Sequence, residues 1–173
     1  MVERLFRELD MATDWIGKGN REDLTPPVRH LRETAQRMGL LRKQKGKLLT
    51  TAKGRSLRDN PVALWWHVAA RLSGGATRSP DREAGLLYLL ALAASTTDRA
   101  YDFVAETLAA LGWRDSEHRP ISAADIGWVT GHVTEVLELL GGLRRVRGRG
   151  RRVEPGAVLL ARAALRVRQA PRS

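Results

Sequence analysis

Between Gly39 and Arg58 the chain reads GLLRKQKGKLLTTAKGRSLR, with seven lysines or arginines and no acid. Arg42, Lys43, Lys45 and Lys47 crowd together, with Lys53 and Arg55 close behind. A second cluster, RRVRGRGRRV from Arg144 to Val153, holds Arg144, Arg145, Arg147, Arg149, Arg151 and Arg152. Side chains of this kind at this density are suited to neutralising a polyanion such as a run of phosphates, displacing its condensed counterions.

The distribution of charge carries more information than its total of +11 over 173 residues. Residues 1–38 have seven basic and seven acidic groups, and residues 59–141 have six basic against eleven acidic. Residues 39–58 are seven basic and none acidic, and residues 142–173 are ten basic against one acidic. The whole excess therefore sits in two short stretches and the tail. A chain that needed charge only for solubility has no reason to gather it so, whereas a phosphate binder has. The competing readings are a solvated loop without a partner and an anionic membrane surface. The second needs an amphipathic cationic helix or a lipid anchor, and neither accompanies these stretches.

Other chemistries find little support. There is no cysteine, which removes disulfides, cysteine-ligated zinc and thiol catalysis, and is compatible with a cytoplasmic protein. His30, His67, His118 and His132 are scattered, without a metal-ligand spacing such as His-Glu-x-x-His. Offsets of seven and three put Asp125, His132 and Glu135 on one helix face, but a lone helical histidine is more often simply a surface or core residue than a metal ligand. No nucleophile elbow, Walker loop or dinucleotide-binding glycine motif is present, so neither an enzyme nor a cofactor is expected. The acids in MVERLFRELD argue against a signal peptide. The most apolar run, Ala84 to Ala94, is too short for a membrane span and predicts a buried helix.

The elements that position the two clusters follow from periodicity and punctuation. Leu40, Leu41, Leu48 and Leu49 flank the tip Gln44-Lys45-Gly46-Lys47, where glycine accepts positive φ, so a β-hairpin is expected. A preceding helix starts at Thr25-Pro26, buries Val28, Leu31, Ala35 and Met38, and stops at Gly39. An amphipathic helix over Val2 to Ile16 and a polar loop, Lys18 to Asp23, come before it. After the hairpin, Pro61 to Leu72 forms a helix with Leu64, Trp65, Val68 and Leu72 inward, and Trp66 is expected in the core more readily than as a nucleobase platform. Ser73 to Ser79 is the linker candidate. Helices then run from Pro80 to about Ser95, from a Thr97 or Asp98 cap to Leu111, and from Ser122 to Leu140. Gly127 and Gly131 within the last imply close helix packing. Leucines surround most of the Pro80 helix, placing it at a bundle centre or in a homodimer interface. Ala157 to Val167 is the final helix, and Gln169 to Ser173 frays.

The order helix, Gly-Leu, basic hairpin, Thr-x-x-Gly, helix resembles the closing half of a winged helix-turn-helix, over about a third of the chain. That resemblance implies a wing carrying Arg42, Lys43, Lys45 and Lys47. It also implies a recognition helix from Pro26 to Met38 whose Arg29, Arg32, Gln36 and Arg37 reach base edges or phosphates. Near the end the pattern returns. Gly141-Gly142-Leu143 closes a long helix, the arginine cluster alternates around a Gly-rich tip, and Pro155-Gly156 opens another helix, with Gly39-Leu40 laid on Gly142-Leu143 at a spacing of 103. The second recognition helix would carry few cations, and it includes Glu135 and Glu138. Trp15-Ile16-Gly17 through Leu24-Thr25, Gly39-Leu40 with its Lys-Gly-Lys hairpin, and Asn60-Pro61-x-x-Leu64-Trp65 are further similar to the helical module of uncharacterised actinobacterial proteins associated with plasmids and insertion elements. That likeness implies a mobile-DNA context.

The sequence thus predicts a mainly α protein of two winged-helix-like units, helices plus short β-hairpin wings in pseudo-repeat, over residues 1–72 and 80–173. Double-stranded DNA is the expected partner, with Lys53 and Arg55 adding to the first wing. The alternative is a winged-helix module for protein interaction whose wings meet an acidic partner. No membrane role is expected.

Overall fold

A computed structural model describes residues 26–73, 79–146 and 150–169. The expected first helix, the Thr25 cap, most of the Ser73–Ser79 linker, and Arg147 and Arg149 lie outside the described residues. Within them are eight helices and two antiparallel hairpins. The chain forms two compact units, Met1–Asn60 and Pro61–Ser173. The division falls before Pro61, whereas the sequence suggested residues 73–79, because the helix after Asn60 packs within the second unit.

In the first unit, α1 (Pro26–Arg37) buries Val28 and Thr34, with Met38 just beyond. It ends where Gly39 takes φ 72°, which lets the Leu40 N–H reach back to the Ala35 carbonyl at 2.9 Å. The chain then enters β1 (Leu41–Gln44) and returns as β2 (Lys47–Thr50). Gln44 pairs with Lys47, leaving a two-residue loop of Lys45 (φ 48°) and Gly46 (φ 75°). Positive φ at both loop positions is the turn geometry whose twist matches a right-handed hairpin. Leu48 and Leu49 are 42% and 38% exposed, so the strand leucines stand in solvent and do not extend the core.

Thr51 fastens the hairpin base to α2 (Ala52–Leu57). Its backbone N–H donates to the Leu40 carbonyl, its hydroxyl donates to the Gly39 carbonyl at 2.7 Å, and the same oxygen accepts from the Gly54 N–H at 2.9 Å. The turn of helix beyond this cap lies so close that a Cβ on Gly54 would overlap the Leu40 carbonyl oxygen. The Thr-x-x-Gly spacing read from the sequence is therefore a lock between hairpin and helix.

The second unit comprises α3 (Pro61–Ser73), α4 (Pro80–Ala93), α5 (Ala100–Ala110), α6 (Ile126–Val129), α7 (Gly131–Leu139), β3 (Leu143–Val146), β4 (Gly150–Val153) and α8 (Pro155–Gln169). Helix α3 lies along α8, and Ala69 and Leu72 on the one and Ala157, Leu160, Ala161 and Ala164 on the other are buried. Trp66 is 44% exposed and stacks edge-on to Trp65 at 5.1 Å, so it is not the core residue that its flanks suggested. Helix α4 packs against α3, α5, α6, α7 and α8. Its leucine girdle is thus used largely within one copy of the unit, although Leu90 is 47% exposed.

Three local expectations change. The helix foreseen from Thr97 begins at Ala100, and its first turn has no side-chain cap. The helix foreseen from Ser122 to Leu140 starts at Ile126 and breaks at Thr130 (φ −92°, ψ 0°), whose hydroxyl donates to the Ile126 carbonyl at 2.7 Å. Glycines on both sides of the break lower the cost of leaving the helix. The Ser122 hydroxyl donates to the Asp125 carboxylate at 2.6 Å, and Asp125 falls on a different element from His132 and Glu135. Finally, a Cβ on Gly127 or Gly131 would meet nothing within 4 Å. The close approach occurs at Gly85 of α4, where a Cβ would come within 2.7 Å of the His132 ring on α7.

Candidate nucleic-acid interface

The helix, glycine, hairpin and helix frame of the first unit has local counterparts in the second. Gly141 takes φ 69°, the Gly142 N–H reaches back to the Leu137 carbonyl at 2.7 Å, and the Glu154 N–H closes the hairpin on the Gly142 carbonyl at 2.9 Å. These match Gly39, the Leu40-to-Ala35 bond and the Thr51-to-Leu40 bond. The helix stop therefore aligns Gly39 with Gly141, one residue earlier than the alignment taken from the Gly-Leu pairs. The offset returns to the sequence value after the hairpin, because three residues link β3 to β4 where two link β1 to β2. Tight packing recurs as well, with the partners exchanged. A Cβ on Gly142 would approach Ala157 of α8 at 3.1 Å.

On the first hairpin Arg42, Lys43, Lys45 and Lys47 are all exposed, and Lys53 and Arg55 are exposed on α2. Residues 26–60 hold ten lysines and arginines against two acids, Glu33 and Asp59. Glu33 is paired with Arg32 and Asp59 with Arg58. Among the described residues no carboxylate pairs with a wing cation. Arg55 donates to the Thr50 carbonyl at 2.9 Å, which places its guanidinium at the base of β2.

Helix α1 offers less than the sequence implied. Arg32 donates to the Gln36 amide oxygen at 2.7 Å and to Glu33 at 3.3 Å. Arg37 donates to the Thr34 hydroxyl at 3.0 Å, and Arg29 is half-buried. The polar groups of this helix are largely engaged with one another.

Two arginines of the second hairpin, Arg151 and Arg152, already face carboxylates. Leu143 is buried, and cross-strand pairing sets Arg145 opposite Arg151 and Arg144 opposite Arg152. Arg151 donates from Nε to Glu138 on α7 and from Nη1 to the Tyr101 hydroxyl on α5 at 3.1 Å. Burial works against its charge, but the hydrogen bond and charge of Glu138, with Tyr101, outweigh that and hold its pKa above the ordinary arginine value. Tyr101 in turn packs on Tyr88, ring centroids 5.7 Å apart. The Tyr88 hydroxyl is pushed up to about 12, first by burial and then by Tyr101 and Glu138, with Arg151 pulling the other way. Arg152 faces Glu154 at 3.4 Å, and Arg144 is exposed.

Sequence reasoning counted the charges on both hairpins and missed two things. Gln44, a tip residue in the sequence reading, shares β1 with the cations, and two-residue alternation places it beside Arg42. Glu138 and Tyr101 as partners of Arg151 had no local signal. Among the described residues no group of His, Asp or Glu is arranged to hold a metal, and no helix is long and apolar enough to cross a membrane. Comparison with protein families, with curated proteins and with solved structures finds no match to this chain.

Proposed function

We propose that the two units are winged-helix-like and that the protein binds double-stranded DNA, contacting phosphates through its two basic hairpins. Transcriptional or mobile-element regulation is the role this would serve. The observation that carries the reading is the first wing, an exposed two-stranded ribbon with four cations and, among the described residues, no carboxylate paired to them. Unpaired exposed cations keep their counterion-releasing capacity, whereas cations already in ion pairs have spent part of it. The charges of Arg42, Lys43, Lys45 and Lys47, flanked by Lys53 and Arg55, displace counterions and hold the protein on the duplex.

A second reading has one observation in its favour. Exposure of Leu48 and Leu49 beside the cations also suits an acidic protein partner with an apolar patch. Duplex binding measured across a salt series separates the two. Under the DNA reading log affinity falls linearly with log salt, by ~0.9 per phosphate neutralised. Replacing Lys43, Lys45 and Lys47 together by Ala flattens that slope by about 2.7. It weakens binding to every sequence by roughly a hundredfold near physiological salt, taking the ion-release contribution to vanish close to 1 M. Unchanged affinity in the triple variant excludes the first wing as a phosphate clamp. Absence of duplex binding at low salt favours the protein partner.

A further inference from the structure

The register of the first hairpin sorts its side chains into two sets. Arg42 pairs with Leu49 and Gln44 with Lys47. Directly paired residues share a face, as do residues two apart, so Arg42, Gln44, Lys47 and Leu49 project from one side of the ribbon. Leu41, Lys43, Leu48 and Thr50 project from the other. All four members of the first set are exposed, while the second is half-buried at its base through Leu41.

The first set is chemically suited to base edges. Arginine and lysine donate to O6 and N7 of guanine, a glutamine amide both accepts from N6 and donates to N7 of adenine, and an aliphatic side chain packs on the thymine methyl group. Two strands spaced about 4.8 Å apart, with their side chains, fit a major groove about 12 Å wide. Helix α1 is the weaker reader, because Arg32 and Gln36 are hydrogen-bonded to each other and Arg37 to Thr34. From this we infer that the face bearing Arg42, Gln44, Lys47 and Leu49 reads sequence in the major groove of duplex DNA, so that discrimination lies on the wing and not on α1. The inference rests on the duplex-binding reading above. Lys43, on the other face, and Lys45, at the tip, serve the phosphates flanking the groove.

Selection of short randomised DNA duplexes by the full chain, followed by affinity measurements over a salt series, tests this. Wild-type protein enriches a motif. Gln44→Ala loses preference at one position by roughly tenfold, the scale of a bidentate base contact. Leu49→Ala loses preference for thymine at a neighbouring position. Both residues are uncharged and exposed, so these variants keep the salt slope and affinity for mismatched duplexes. Lys43→Ala does the reverse, lowering affinity for all duplexes and flattening the slope while keeping the motif. The inference is overturned if duplexes bind without any enriched motif, or if the motif survives Gln44→Ala and Leu49→Ala but is lost in Arg32→Ala or Gln36→Ala. Preference for duplex RNA overturns it too, because the A-form major groove is too narrow for side chains to read. Failure of the duplex reading itself looks different: no DNA binds at any salt.

Discussion

The first hairpin joins β1 and β2 through Lys45-Gly46 and leaves its cations in solvent, whereas the second lays β3 and β4 on its own unit through the buried Leu143 and through Arg151. Both begin after a positive-φ glycine and both end on a backbone bond to the residue that opens the next helix. What differs is the destination of the cations. Arg151 is tied to Glu138 and Tyr101 and Arg152 faces Glu154, while no carboxylate among the described residues pairs with Arg42, Lys43, Lys45 or Lys47. Charge count alone ranks the arginine-rich second hairpin the stronger phosphate binder. The ion pairs of Arg151 and Arg152 narrow that lead, because a cation shared with a carboxylate must break or share that bond before it serves a phosphate.

The frame common to the two hairpins is tested most severely at its tightest point. A methyl group on Gly54 would overlap a backbone carbonyl, which cannot move without distorting the hairpin base. Gly54→Ala is expected to destabilise the first unit by about 3 kcal/mol, the upper range for overpacking. Gly142→Ala places its methyl 3.1 to 3.3 Å from the Cβ, Cα and N of Ala157, a tight contact and not an overlap, and costs about 1 kcal/mol. Chemical denaturation of the two variants checks the ranking. Equal losses show that the hairpin bases are held alike and that the exchange of small residues between them has no energetic meaning.

The anchoring of the second hairpin has a pH signature that the first cannot share. Tyr88 lies beneath Tyr101, and its hydroxyl stays protonated up to about pH 12 in the folded chain, against about 10 when unfolded. The folded-state value is raised, so the stability it contributes is complete below pH 10 and is lost as pH rises through 12. A two-unit shift corresponds to about 2.7 kcal/mol, of which roughly 2.3 is lost by pH 12. Denaturation at pH 9 and pH 12 should therefore show a loss that Tyr88→Phe reduces by that amount. Since lysines also titrate in this range, the informative quantity is the difference between wild type and Tyr88→Phe. No difference means that Tyr88 is not sealed under the anchor.

Much of this was legible locally. Gly39 and Gly46 mark the helix stop and the turn, because each acts through backbone conformation within a few residues, whereas the cap at Thr51 and the short helix behind it come from the structure. The offset between the hairpins was read one residue late, since the sequence shows two adjacent glycines and only the backbone says that Gly141 takes the positive φ. The break at Thr130 was hidden by apolar periodicity continuing through it at Ile126, Val129 and Val133. The partners of Arg151 were illegible, since Glu138 lies 13 residues away and Tyr101 50, so only tertiary packing unites them. Charge patterning finds cations well and says little about which of them are already spoken for.

The smallest expected effect addresses that gap directly. Glu138→Gln keeps the size of the side chain and a hydrogen-bond acceptor for Arg151 while removing the charge. Both partners are partly exposed, at 29% and 27%, so the loss of stability should be only about 1 kcal/mol. Loss of the carboxylate leaves Arg151 as an uncompensated cation on β4, able to reach a phosphate if the second hairpin faces the duplex. Affinity for duplex DNA then rises slightly, and the salt slope steepens by about 0.9, one phosphate's share. The same measurement on Glu33→Gln, in the first unit, leaves the slope nearly unchanged, because its partner Arg32 is also held by Gln36. A steeper slope with Glu138→Gln alone would place the second hairpin at the phosphates and identify Glu138 as the group that restrains it. An unchanged slope would leave Arg151 a structural brace, and any phosphate contact of that hairpin would fall to its other arginines.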